Sequence, residues 1–82
     1  MYMITVMAIA TSARPFAEAT DDAQEAFESG YTCYRRTFVG NVCRWSLESD
    51  WDIGDICQDI IKVVIDNGLE ISNLTIVSAV KK

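Results

Sequence analysis

Trp51-Asp52-Ile53-Gly54-Asp55-Ile56-Cys57-Gln58-Asp59-Ile60-Ile61-Lys62-Val63-Val64-Ile65-Asp66-Asn67 decides how this chain is read. Ile53, Ile56, Cys57, Ile60, Ile61 and Val64 recur every three or four residues, the spacing that gathers side chains on one face of an α-helix. Asp52, Asp55, Asp59 and Asp66 recur at compatible spacing, on what the same wheel makes the opposite face, with Lys62 the one positive charge among them. The apolar stripe predicts a helix docked on a sheet. The acidic stripe presents carboxylates as an ordered charged surface.

Outward from this segment, the whole chain is 82 residues, half of them apolar, with a net charge of −5. That is one small folded domain with a single thin core, whose stability a partner or a second copy would raise. Its acidity sets it against direct contact with phosphate backbones and anionic membranes, and toward basic protein surfaces. Cys33, Cys43 and Cys57 are an odd set with no C-x-x-C pair, and the chain has no histidine. Neither a disulfide framework nor a metal site is expected, and a reduced, cytoplasmic setting is. The opening run to Ala13 has the apolar stretch of a leader but lacks its positive start, so it is expected to be a strand instead.

Met3 to Ala10 reads as a buried strand carrying Ile4, Val6 and Ile9. Arg14-Pro15 ends it, and Phe16 to Ala19 has the look of a short return strand. Thr20-Asp21-Asp22 then offers helix-capping oxygens, with Asp21 and Gln24 in capping-box spacing, Ala23, Ala26 and Phe27 as an inner face, and Gly30 as the stop. Tyr31 to Glu48 predicts a hairpin about Gly40-Asn41. A two-residue loop pairs Val39 with Val42, Phe38 with Cys43, Arg36 with Trp45 and Tyr34 with Leu47. It puts Tyr34, Phe38, Cys43, Trp45 and Leu47 on one face, and Arg35, Thr37, Arg44, Ser46 and Glu48 on the other. A three-residue loop over Val39 to Asn41 is the alternative, and it separates apolar from polar less cleanly. Ser49 and Asp50 are placed to cap the helix from about Trp51 to Asn67, which Gly68 stops, and Leu74 to Val80 closes the chain as a strand. The series is βαββαβ: a ferredoxin-like α+β fold or a close variant, with two helices packed on one face of a mainly antiparallel sheet.

Chemistry is hard to place on this sequence. The commonest general base is missing, no glycine-rich phosphate loop occurs, and carboxylates on solvent-facing helices keep ordinary acidity. The cysteines have no obvious activating base, and the two of them that fall on apolar faces read as small buried hydrophobes. No enzyme and no cofactor is expected. Two surface groups remain. One is acidic: Asp21, Asp22, Glu25 and Glu28 on the first helix, with Asp52, Asp55, Asp59 and Asp66 on the second. Solubility alone would explain the first row, but the second repels itself by a few tenths of a kcal/mol per pair, roughly, where alternating lysines would not. The other group is Arg35, Arg36 and Arg44 beside Tyr34, Phe38 and Trp45, the composition of an interface hot spot, or of an edge strand with an Arg36–Trp45 cation–π contact.

In size, acidity, βαββαβ pattern and lack of catalytic residues, the chain resembles the small anti-defence proteins of phages and mobile elements, the anti-CRISPR proteins among them. The resemblance is carried by the Asp52/Asp55/Asp59/Asp66 row and the Asp21-Asp22-x-x-Glu25-x-x-Glu28 row. It implies a non-enzymatic inhibitor or adaptor that binds a nucleic-acid-handling complex and blocks its basic path. Asp52, Asp55, Asp59 and Asp66 would face the partner's basic residues, with Arg35, Arg36 and Arg44 as a second contact. The arginine-rich hairpin departs from a pure nucleic-acid mimic and points to a mixed interface. Two other readings stay open: a regulatory module that dimerises through its sheet and binds a metabolite, and a subunit without activity of its own.

Overall fold

The computed structural model describes residues 1–11 and 14–79, with side chains described as far as residue 77. Its elements are β1 (Tyr2–Ala10), α1 (Phe16–Gly30), β2 (Thr32–Cys33), β3 (Thr37–Val39), β4 (Val42–Ser49), α2 (Ile53–Asp66) and β5 (Leu69–Ala79). The sheet runs β2-β4-β1-β5, with β3 also paired to β4, and every pairing is antiparallel. Counting β2 and β3 as two pieces of one edge strand gives the βαββαβ order with split crossovers, an α+β fold compatible with the ferredoxin-like type.

Alternation along the strands puts the core on one side of the sheet. Ile4, Val6 and Ala8 of β1 and Cys43, Trp45 and Leu47 of β4 are buried beneath Ala19, Ala23 and Phe27 of α1 and Ile56, Ile60 and Val64 of α2. Phe27 sets its ring edge-on to Trp45 at 5.2 Å, a geometry that adds roughly 0.5–1.5 kcal/mol to the area buried. The other side of the sheet carries Met3, Met7 and Ile9 among Arg44, Ser46 and Glu48, with no described helix over it.

Four local expectations are corrected. Phe16 to Ala19 is not a strand but the first turn of α1, which starts after Pro15; the Pro15 carbonyl accepts the Ala19 N–H at 3.0 Å. Thr20-Asp21-Asp22 therefore lies inside the helix and caps nothing. Thr20 is buried there, its hydroxyl donating to the Phe16 and Ala17 carbonyls at 2.9 and 3.0 Å. Second, the hairpin keeps its two-residue loop, with Val39 opposite Val42, Phe38 opposite Cys43, and Gly40 at φ 60°. The register then slips by one: Cys33, not Tyr34, stands opposite Leu47, and the Arg36–Trp45 and Tyr34–Leu47 pairs do not form. Tyr34 is thereby turned out, 46% exposed, and donates its hydroxyl to Glu48 at 2.7 Å.

Third, α2 begins at Ile53 behind an Asp52 N-cap, slightly later than expected, while Ser49 accepts the Trp51 N–H at 3.1 Å. Ile61, expected in the apolar stripe, is 43% exposed. Fourth, β5 begins at Leu69, directly after Gly68, instead of at Leu74. Two bulges make this possible. Ala8 and Met7 pair with Ile71 and Asn73, and Ile4 and Met3 pair with Ile76 and Ser78, so Ser72 and Val77 are extra residues. The bulge at Ser72 keeps Ile71 on the same side as Leu74 and Ile76, opposite the buried Ala8, Val6 and Ile4. Val80, expected at the end of this strand, lies outside the described residues.

Candidate functional site

Residue positions every 100° revise the expected face for part of the acidic row of α2. Ile56, Ile60 and Val64 define the buried side, and Gln58, Lys62 and Ile65 stand away from it, all exposed. Asp55 stands as far from the core as Ile65 does, on the other side of the wheel, whereas Asp59 and Asp66 fall between the buried and outward sides, on a flank and not on the face opposite the core. That flank is the one turned to α1, because Tyr31, the residue that ends α1, donates its hydroxyl to Asp59 at 2.6 Å. Burial and the Asp59 hydrogen bond hold the Tyr31 phenol neutral far above its usual range. Asp59 is thus a structural acceptor as well as a surface acid. Asp52, Asp55 and Asp66 are exposed and make no ion pair among the described residues.

On α1 the acids do stand opposite the core. Glu18, Asp21, Glu25 and Glu28 share the outward side with Asp22 on its flank, while Ala19, Ala23 and Phe27 point in. Arg14 pairs with Glu18 and Asp22 at 2.9 and 2.5 Å, and Arg36 pairs with Asp21.

That last pair joins two groups which the sequence leaves apart. Asp21, Gln24, Glu25 and Glu28 of α1 face Arg35, Arg36 and Phe38 across an open cleft of about 760 Å³. Its floor is held by Gln24, whose amide carbonyl accepts the buried Trp45 indole N–H at 2.8 Å while its NH₂ donates to Glu28 at 2.8 Å. The expected Arg36–Trp45 stacking is replaced: Trp45 is fully buried, and the Arg36 guanidinium lies over Phe38, 5.4 Å from the ring centre. Phe38 in turn packs edge-on against Phe16 at 5.8 Å. Gln24 and the Asp21–Arg36 pair were not legible in sequence as members of one site. Their outward spacing on α1 was visible, but the partners are fifteen and more positions away.

Arg35 lines this cleft, whereas Arg44 sits on the open side of the sheet, opposite Thr37 and Met7. The three arginines therefore do not form one patch. Of the cysteines, Cys43 is fully buried and its thiol is pushed up to about 11 by that burial, and Cys33 is raised chiefly by burial and then by Glu28. Neither is a thiolate at neutral pH. Among the described residues no cluster of three or more metal-binding side chains occurs, and no described helix is long and apolar enough to cross a membrane. No protein-family model, curated protein or solved structure matches the chain.

Proposed function

We propose that this protein is a non-enzymatic binding module, an inhibitor or adaptor whose acidic helix layer docks on a basic surface of a nucleic-acid-handling complex. The supporting observation is the shared location of the acids. The outer side of α1 and the outward and α1-facing sides of α2 belong to one helix layer, and Asp52, Asp55 and Asp66 there make no ion pair among the described residues. Unpaired like charges cost stability within the chain and lower that cost when a cationic partner arrives. CRISPR-type defence complexes are the class implied by the resemblance, since their nucleic-acid paths are basic. Arg35 and Arg36 both stand beside this layer; Arg36 is paired with Asp21, so Arg35 would supply the mixed contact, and Arg44 would be reached only by a partner that wraps around the sheet.

The test is capture of interacting proteins by the wild type beside Asp52→Lys/Asp55→Lys/Asp66→Lys, which spares the Tyr31–Asp59 bond. Captures are compared at about 0.05 M and about 0.5 M salt, across which the screening length falls from more than 10 Å to a few ångströms. The expected result is a nucleic-acid-handling protein retained by wild type at low salt, released by high salt or by added DNA, and lost in the triple variant. Identical capture by both proteins would reduce the acids to a solvated surface and end this reading.

A further inference from the structure

A different side of the molecule carries an independent inference. β5 is the edge of the sheet: it pairs with β1 on one side and with no described strand on the other. Edge strands are commonly short, charged or broken by proline. This one is eleven residues long, has no proline, and carries Glu70 as its one ionisable residue. Above it α2 overhangs with Ile65, 62% exposed, and Ile61, and these two with Ile71, Leu74 and Glu70 line an apolar groove of about 450 Å³. Helix periodicity places Ile61 on the flank of α2 opposite that of Asp59 and Asp66, with Ile65 between Ile61 and the outward face, so the groove and the acidic flank lie on different sides of the helix.

We infer that a second copy of this chain occupies this edge, its β5 antiparallel to the first in one continuous sheet. Three arguments select a second copy. The first is charge. Two molecules of net charge −5 repel through most of their surfaces, and this side carries Glu70 as the one charged residue lining its groove. The second is extent. At roughly 3.3 Å per residue β5 spans about 36 Å. That is nearly the whole 39 Å long axis, and with a thickness of 19 Å the side is comparable with the ~800 Å² that each partner covers in a stable complex.

The third is self-complementarity, which a two-fold contact requires. A two-fold axis between Ser72 and Asn73 sets Ile71 opposite Leu74 of the second copy and Glu70 opposite Thr75. Apolar residues then meet on the helix side and no acid meets its own copy. The same axis brings the Ile61/Ile65 flank of one α2 against that of the other and leaves both acidic layers exposed on one side of the dimer. The open side of the sheet is the weaker self-contact, because Arg44 and Glu48 interrupt its methionines.

Sedimentation or light scattering on the intact chain, over concentrations spanning about 1 to 100 μM, reads the outcome directly. The expected result is a mass twice the 9.2 kDa of one chain, insensitive to added salt. Ile61→Glu/Ile65→Glu alters only exposed positions. It is expected to weaken the dimer by at least ~100-fold with an unchanged circular dichroism spectrum. Val39→Glu, on the far edge and 74% exposed, is expected to leave it intact. A wild type that stays monomeric at the top concentration overturns the inference and leaves the edge to a foreign strand. A dimer that survives in a folded Ile61→Glu/Ile65→Glu variant overturns it too.

Discussion

Arg14 reaches three places at once: Glu18 and Asp22 on α1, and the carbonyl of Asn67 at the C-terminal end of α2. The two carboxylates raise its already high pKa, and its position suits the negative end of the α2 dipole. Its aliphatic stem fills the space beside Gly68, where an added Cβ would lie 3.1 Å from Arg14 Cγ and Cδ. Gly68 is also at φ 77°, in the left-handed region that ends a helix. Gly68→Ala is therefore expected to cost about 1–2 kcal/mol from the backbone alone, read as a lower urea midpoint at unchanged slope. Gln24→Ala leaves the buried indole N–H of Trp45 without an acceptor and is expected to cost about 1–3 kcal/mol in the same assay.

Alkaline pH tests the residues whose protons the fold holds. The Cys43 thiol moves from 9.0 to about 11 on folding and the Tyr31 phenol moves further up. In both, the unfolded chain gives up its proton first. Their contribution is complete below about pH 9 and is lost as pH rises through about 11 and beyond. Urea midpoints should fall across that window, and Cys43→Ala, though less stable at neutral pH, should show a shallower fall.

Among the elements, α1 shows how a local signal loses to a longer one. Thr20-Asp21-Asp22 has the composition of a helix start, but Pro15, Ala17 and Ala19 favour a start further back, and Phe16 gains contact with Phe38 by joining the helix. The two positions for the start make different predictions for Asp21→Ala. A lost N-cap would cost about 1 kcal/mol. Inside the helix the change removes an exposed pairing with Arg36 and adds a better helix former, so a change within about 0.5 kcal/mol is expected by urea unfolding. The β2–β3 edge behaves similarly. The Gly40-Asn41 turn fixes pairing only as far as Thr37, after which the Thr32 and Cys33 pairings with β4, one residue out of step, turn Tyr34 outward.

Across the whole molecule, charge and apolar surface are segregated. The helix layer carries most of the acids, the groove on the β5 side has Glu70 as its one charged lining residue, and the core lies between α-helices and sheet. This separation predicts that the acids of α2 differ in kind. Asp55→Lys and Asp66→Lys, at exposed positions with no ion pair among the described residues, should each leave stability within about 0.5 kcal/mol of wild type. Tyr31→Phe removes a hydrogen bond to a charged group between the helices and should cost about 1.5–3 kcal/mol. Thermal unfolding of the three variants at one protein concentration separates the two roles.

What the sequence by itself determined is whatever depends on neighbours a few positions away. Helical periodicity located α2, a continuous apolar run with β-branched residues located β1, alternation gave the inner residues of β4, and Gly40-Asn41 gave the turn, which together were enough for the βαββαβ order. What only the tertiary structure decided depends on residues far apart in the chain. Trp45 finds its acceptor in Gln24, Asp21 meets Arg36, and Asp59 meets Tyr31. The bulge at Ser72 holds Ile71 on the core side against the pairing of β1. None of these has a local signature, because each is selected by the packing of two elements, and the interior has room for one arrangement at a time.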